Sequence, residues 1–472
     1  MTSTSSELCF QPATVIARLL RDRDLSVVEL VDAFLSRIEE RNAHSKAYIS
    51  VTKDAARRAA AEADTRLDRG EAGSIFLGIP FGSKDLIDIK GVLTTGGSAV
   101  LHDNVATEDA AVIDRMNAIG AVSLGKTNLH EFAYGTTGEN AVYGTAVNAY
   151  DGTRLACGSS SGSAAAVAHG LAAFALGTDT GGSVRVPAVM NGLVGLKPTF
   201  GRLSLKGVIP FCWSLDHLGL ITRTVDDCAA LFEACAAADA GKAPPAGTER
   251  SGPGDSADRS LAGLRVGIPD RFYFERTDPE ILAAAENAVR LLEQSGATVS
   301  KVSLPDARHA RTASLTIQMP EALSFHSRYL EDRGHLYSED LRAGLALGQY
   351  ILAEHYIRAK RLVNQYRAGM RDVFADVDVI LTPATPIPAP KIGTVKVAMD
   401  GVEEAVGNAL TRFTTFFNMT GHPAVTFATE MHSLGLPIGV QLIGRYFEER
   451  VILKVAAVLA ESAGPIPLPD LR

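Results

Sequence analysis

The sequence predicts an α/β layer fold, and three observations lead there. The first 70 residues read as helix; short apolar runs broken by glycine then alternate with helical segments; the end of the chain, after a long helical region, returns to strand-like runs before a closing helix. Each element can be justified in order. "SVVELVDAFLSRIEE" opens on Ser26 with Glu29 three residues on, a capping-box pattern, and sets Val27, Leu30, Val31, Phe34, Leu35 and Ile38 on one face. "DAARRAAAEADTRLDRG" is a charged, alanine-rich helix that Gly70 ends. "IFLGIPFGSKD", "GVLTTGGS" and "GAVSLGKTN" are the short apolar runs, and the helix "DAAVIDRMNAIG" falls between the last two.

Residues 241–260, "GKAPPAGTERSGPGDSADRS", carry proline, glycine and serine without an apolar period and read as a surface linker. A strand–helix–strand unit follows in "LRVGIPD", "PEILAAAENAVRLLEQSG" and "TVSKVSLP", then a helical region from about Glu321 to Phe374. Strands return in "VDVILTPATP", "PAVTFAT" and "PIGVQLIG", before the helix "ERVILKVAAVLAES". The linker could separate one domain from another, or the returning strands could rejoin the first sheet; the expectation is one unit over 1–472, with an excursion.

Composition narrows the function. The 472 residues carry a net charge of -8, which offers no basic field to nucleic acid, so small molecules are the expected partners. No stretch reaches the roughly 20 apolar residues of a bilayer span, and the start lacks a signal peptide's basic region and apolar core. Five cysteines form neither an even set nor a CxxC pair, which suits a reducing cytoplasm. The eleven histidines are scattered and predict no metal site, and no cofactor is expected.

Two motifs mislead. "GAVSLGKT", Gly120 to Thr127, fits the phosphate-loop pattern, but a helix precedes Gly120 and the loop interior looks like a strand. That argues against an ATPase using Lys126. "GSSSG" fits a nucleophile elbow centred on Ser160, yet the polar turn "NAYDGTRLAC" stands where a buried strand is needed. His217 and His422 sit in turn-like surroundings and read as hydrogen-bonding loop residues rather than bases.

The stretch "LACGSSSGSAAAVAHGLAAFALGTDTGGSVRVPA" carries two serine–glycine knots. Acyl transfer needs an activated hydroxyl and preorganised donors for the oxyanion, one good donor being worth roughly 3 to 4 kcal/mol. Glycines 181 and 182 let the amides of Thr180, Gly181, Gly182 and Ser183 converge; the plainer alternative is a turn with Ser183 as an N-cap. Ser159 precedes an alanine-rich helix and could be a proton relay or an N-cap neighbour. The proton needs a final acceptor. Lys84 in "GIPFGSKDLIDIKG" lies on an apolar stretch where burial would lower its pKa, whereas Lys90 before a glycine turn reads as solvated.

"GIPFGSKD", "CGSSSGSAAAVAHG" and "GTDTGGSVRVPAVMNGLVGLKPTFGR" together resemble the amidase signature family of serine hydrolases, and "GKTNLHEFAYGTTGEN", "GVIPFCWSLDHLG" and "NMTGHPAVTFA" extend the likeness over nearly the whole chain. The resemblance implies a mixed sheet covered by helices on both faces, with 262–374 as a helical cap. It implies Lys84 as neutral base, Ser159 as relay after a cis Gly158–Ser159 peptide, and Ser183 as nucleophile. It also implies an oxyanion hole from Thr180 to Ser183, Asp179 and Arg185 as loop braces, and Tyr134 and Gly135 at the acyl pocket. Family members are often dimers, so a homodimer is allowed for. Cys157 and Ser161 depart from the family's glycines, and a nucleophilic Cys157 is not expected.

Within the family, the glutamine-hydrolysing amidotransferase subunit holds its substrate with an arginine and an acidic residue. Those places align with Gly344 and Thr411 here, so a zwitterion would be poorly held. The expectation is a stand-alone hydrolase of an uncharged or aromatic amide, with carbamate or ureido substrates and the amidotransferase role as alternatives. A non-catalytic binding protein on the same fold is the competing class.

Overall fold

A computed structural model describes residues 5–71, 73–236 and 260–470. The predicted linker, apart from Ser260, lies outside the described residues. The strands are β1 (Tyr48–Val51), β2 (Pro80–Lys84), β3 (Val122–Thr127), β4 (Phe174–Asp179), β5 (Val194–Lys197), β6 (His217–Thr222), β7 (Arg265–Pro269), β8 (Thr298–Val302), β9 (Val379–Pro383), β10 (Lys396–Met399), β11 (Val402–Ala405), β12 (Ala424–Met431) and β13 (Pro437–Gly444). Eleven form one sheet in the order β1-β3-β2-β4-β6-β5-β12-β13-β9-β7-β8, and β10 with β11 make a separate hairpin. The sheet is mixed: β2 runs parallel to β3 and β4, and β7 to β8 and β9, while the middle of the sheet is antiparallel.

Helices cover both faces, and strand alternation shows it. Leu381, Val425 and Leu442 join one core with the helices Val27–Ser45, Val225–Ala236 and Glu449–Ala463. Their neighbours Ile380, Ala424 and Ile443 join another with Ala310–Arg333 and Ala353–Asp376. The Ser26 capping box forms as read, Ser26 accepting from Glu29 N and the Glu29 side chain from Ser26 N. Helix Ser161–Ala168 is buried along its whole length, which its alanines permit beneath β4.

Several expectations are corrected. The amino-terminal region is not all helix, because "YISV" pairs as β1 against β3. "GVLTTGGS" forms turns, with Gly96 and Gly97 at φ 67 and 68 and only an isolated bridge from Leu93 to Val105. The helical region begins at Ala310 rather than near Glu321 and is broken into Ala310–Arg333, Glu339–Gly348 and Ala353–Asp376. Of the segment 262–374, β7 and β8 extend the sheet edge, and the helices Ala310–Arg333 and Glu339–Gly348 contribute Arg311, Gln318 and Asp340 to the wall of the site described next. "VSLGKT" is strand β3, as expected, and Lys126 within it pairs with Asp85 at 3.0 Å.

Candidate active site

β2, β3 and β4 are parallel neighbours, so their carboxyl ends share one edge, where open α/β sheets gather ligands. β2 ends on Lys84, the loop after β3 carries His130 to Thr137, and β4 ends on Asp179 before the knot Thr180–Val184. The main chain stitches the serine knots into this edge. Ser160 N donates to Ser183 O at 3.1 Å, His130 N to Ser159 O at 3.1 Å, and Gly158 N to Thr136 O at 2.8 Å. The Gly158–Ser159 peptide is cis.

Lys84 is wholly buried. Its Nζ lies 2.8 Å from Ser159 Oγ and 2.8 Å from Thr178 Oγ1, with Thr178 O at 3.5 Å. No carboxylate forms an ion pair with it among the described residues. Burial pushes its pKa down to about 7, against a smaller upward pull from Asp216 and Asp179. A hydroxyl accepts from an ammonium or donates to a neutral amine, so neither contact forces the lysine to keep its charge. Ser183 is 3% exposed and lines a cavity of about 620 Å³. Among the described residues no hydrogen bond joins Ser159 Oγ to Ser183 Oγ.

Asp179 explains the shape of the second knot. Its carboxylate accepts from Gly182 N at 2.9 Å, Val184 N at 3.1 Å and Arg185 Nε at 3.0 Å, while Asn418 Nδ2 approaches at 2.8 Å. Burial opposes the charge on Asp179, but Arg185, Lys197 and Asn418 together hold its carboxyl well below the usual range. Arg185 is itself tied to Gln441 Oε1 at 2.6 Å and Thr414 O at 3.1 Å. Asp179 and Arg185 thus tie the loop to the strand end and to Thr414.

The geometry corrects the set of expected oxyanion donors. The Gly181–Gly182 peptide is occupied at both ends, its N–H by Asp179 and its carbonyl by Thr414 Oγ1 at 2.5 Å. Thr180, Gly181 and Ser183 line the cavity; Gly182 does not. Gly182 serves the turn instead, at φ 133, where a side chain would also strike Thr414. The helix after the knot starts at Arg185 with Val184 as its cap residue, one step beyond the expected Ser183.

Tyr134 and Gly135 both line the cavity. The Tyr134 ring packs edge-on against Phe211 at 6.0 Å, and Gly135 leaves room for the His130 ring, whose Nε2 is 3.4 Å from Asp340 Oδ2. Thr411 stands in the wall, its hydroxyl donating to Gly407 O at 2.8 Å. Gly344 lies behind Tyr134: any side chain there would run into the phenol. Cys157 is buried with φ 60, and burial drives its thiol pKa upward, away from a thiolate. Ser160 Oγ donates to Thr178 O at 3.2 Å. His217 is a buried strand residue, not a loop one, with Nδ1 2.7 Å from Leu215 O; His422 stacks on Tyr446 at 4.1 Å. Lys90 is exposed.

Sequence reasoning missed Thr178, the second contact of Lys84, although it sits in the quoted "GTDT". It missed Asp216, which accepts from Thr180 Oγ1 at 2.6 Å and whose carboxyl burial raises to about 6. It also missed Arg311, a cavity-wall residue that no motif marks.

With this geometry in hand, the wider likeness has a physical basis. The family model described as Amidase matches residues 29–453, and the chain belongs to that family. A glutamyl-tRNA(Gln) amidotransferase subunit from Coxiella burnetii is 37% identical over 460 residues, covering 92% of this chain and 94% of the relative. A structure described as a vestigial protein complex that reveals the origins of an s-triazine catabolic enzyme is 33% identical, with a TM-score of 0.89 over 97% of this chain and 100% of that one. The 6-aminohexanoate cyclic dimer hydrolase structure is 29% identical, with a TM-score of 0.85 over 98% and 99%. No described helix is long and apolar enough to cross a membrane.

Proposed function

We propose that the protein hydrolyses a small carboxylic amide through an acyl-enzyme on Ser183. The observation that carries this reading is Lys84: buried, free of any carboxylate partner among the described residues, and in contact with Ser159 beside the knot that holds Ser183. Neutral Lys84 takes the Ser159 hydroxyl proton, Ser159 takes that of Ser183, and Ser183 Oγ bonds to the amide carbon. The amides of Thr180, Gly181 and Ser183 are the proposed donors to the oxyanion. When the C–N bond breaks, the proton returns from Lys84 through Ser159 to the departing nitrogen, releasing amine or ammonia. Water then attacks the acyl ester, its proton travels the same route, and Ser183 leaves with its proton restored as the carboxylic acid departs. Side chains and main-chain amides suffice for every step. Asp179 and Arg185 shape the loop, and Tyr134 and Gly135 line the acyl site.

Likeness to an amidotransferase subunit favours glutamine as substrate, whereas Gly344 and Thr411 argue against it, since neither offers a charge to a zwitterion. The reading treats 1–472 as one stand-alone unit, working as monomer or homodimer in a reducing cytoplasm, which suits five buried free thiols. The test is a fluorophosphonate adduct mapped by mass spectrometry, with turnover of anilides, aliphatic amides, carbamates and glutamine. A Ser183 adduct with ammonia or amine release is expected. An unlabelled Ser183 contradicts the mechanism, and turnover of glutamine alone contradicts the stand-alone assignment.

A further inference from the structure

The cavity wall is not neutral. Arg311, in the first turn of the helix Ala310–Arg333, lines the same cavity as Ser183, Thr180 and Gly181. Among the described residues its side chain makes one hydrogen bond, from Nε to Asn408 Oδ1 at 3.2 Å, and no carboxylate pairs with it. With Nε engaged, the two Nη groups remain as a fork that matches a carboxylate. Burial lowers the pKa of Arg311 to about 10, which leaves it charged at neutral pH. A half-buried cation without a counter-ion is a cost that an anionic ligand relieves.

The other charged groups of the cavity are already committed. Glu139 Oε1 accepts from Gly393 N at 2.9 Å; Glu131 accepts from Ser338 N at 3.0 Å and from the Ser98 hydroxyl. Asp340 faces His130, and that hydrogen bond is the main reason its carboxyl is held down. Among the described residues the cavity therefore presents Arg311 as a cation without an anionic partner, while each of its carboxylates already accepts a hydrogen bond from the protein. We propose that Arg311 is a specificity-determining residue and that the substrate is an amide bearing a carboxylate and no ammonium, held by the Arg311 fork while Ser183 meets the amide carbon. This deepens the hydrolase reading and rests on it. It also departs from the uncharged substrate that Gly344 and Thr411 suggested, because it places the anion-binding group on a different helix.

The test uses succinamate, its neutral counterpart butyramide, and glutamine, on the full chain and on Arg311→Gln and Arg311→Lys. Wild type is expected to favour succinamate over butyramide in kcat/KM. Arg311→Gln should lose about 10- to 100-fold on succinamate, mainly in KM, and a smaller factor on butyramide; Arg311→Lys should recover some of the loss. Succinate should slow fluorophosphonate labelling of Ser183 in wild type and not in Arg311→Gln. Labelling that succinate leaves unchanged in wild type, or equal losses on both amides, overturns the Arg311 assignment while the hydrolase reading stands. A preference for glutamine overturns the exclusion of an ammonium. Absence of any Ser183 label, with every variant folded by circular dichroism, overturns the hydrolase reading and this inference with it.

Discussion

Lys84 ends β2 and Lys126 lies in β3 beside it, and both ε-amines are wholly buried. The register pairs Lys84 with Thr127 and Ser83 with Lys126, so the two lysines point to opposite faces of the sheet. On one face Lys126 meets Asp85 at 3.0 Å and Thr94 Oγ1 at 2.8 Å; on the other Lys84 meets hydroxyls and a carbonyl. Burial lowers the pKa of both; Lys126 has a carboxylate at ion-pair distance to offset it, whereas Lys84 feels only the weaker pull of Asp216 and Asp179 from beyond that distance. The contrast teaches that desolvation alone does not make a base. A buried lysine becomes available as one where its partners tolerate the neutral amine.

The comparison can be broken from either side. Lys84→Met should lower turnover on the order of 100- to 10,000-fold, the range for losing general-base help, without loss of fold. Its stability carries a sign. Between about 7 and the ordinary lysine value of 10.5 the unfolded chain holds a proton that the native chain lacks, so stability rises with pH across that window. Below about 7 both states are protonated and the cost of burying the charge is complete. Lys84→Met should therefore lose this slope in urea titrations at pH 7 to 10 and be no less stable at pH 7.

The opposite outcome is expected for Lys126→Met. It strands the buried Asp85 carboxylate and should cost about 3 to 5 kcal/mol in the urea midpoint, with the folded fraction keeping turnover within a few fold. An activity loss matching that of Lys84→Met would remove the distinction between the two.

Much of this was legible in the sequence, and the boundary is physical. Periodicity and capping revealed the Ser26 helix, and glycine punctuation marked β2 and β3, because those signals are local. β1 escaped because four residues, "YISV", carry too little pattern beside two strong helices. The serine knots and Lys84 could be paired only through resemblance, since Lys84 and Ser159 meet across 75 positions of chain. The split among the Thr180–Ser183 amides depended on which peptide Asp179 captures, and Arg311 depended on which helix turn borders the cavity; neither leaves a mark on spacing.

Smaller effects sharpen the same picture. Gly344→Arg should displace the Tyr134 phenol and cost about 1 to 3 kcal/mol of stability, without conferring glutamine turnover, because Thr411 supplies no matching carboxylate. Thermal melts and a glutaminase assay read both halves. Cys157→Gly should change stability by no more than about 1 kcal/mol, because relief at φ 60 opposes the loss of a buried side chain, and should leave Ser183 labelling intact. Loss of labelling in that variant would return Cys157 to the chemistry.

The central claim is that Lys84 reaches Ser183 as a neutral amine near pH 7. The most direct measurement is the pH dependence of Ser183 acylation by a fluorophosphonate, compared between wild type and Lys84→Met. The account predicts a rate that rises through an apparent pKa near 7 in wild type and a slow rate without that step in the variant. A wild-type rate that keeps climbing toward 10.5, or the same step surviving without Lys84, would contradict it.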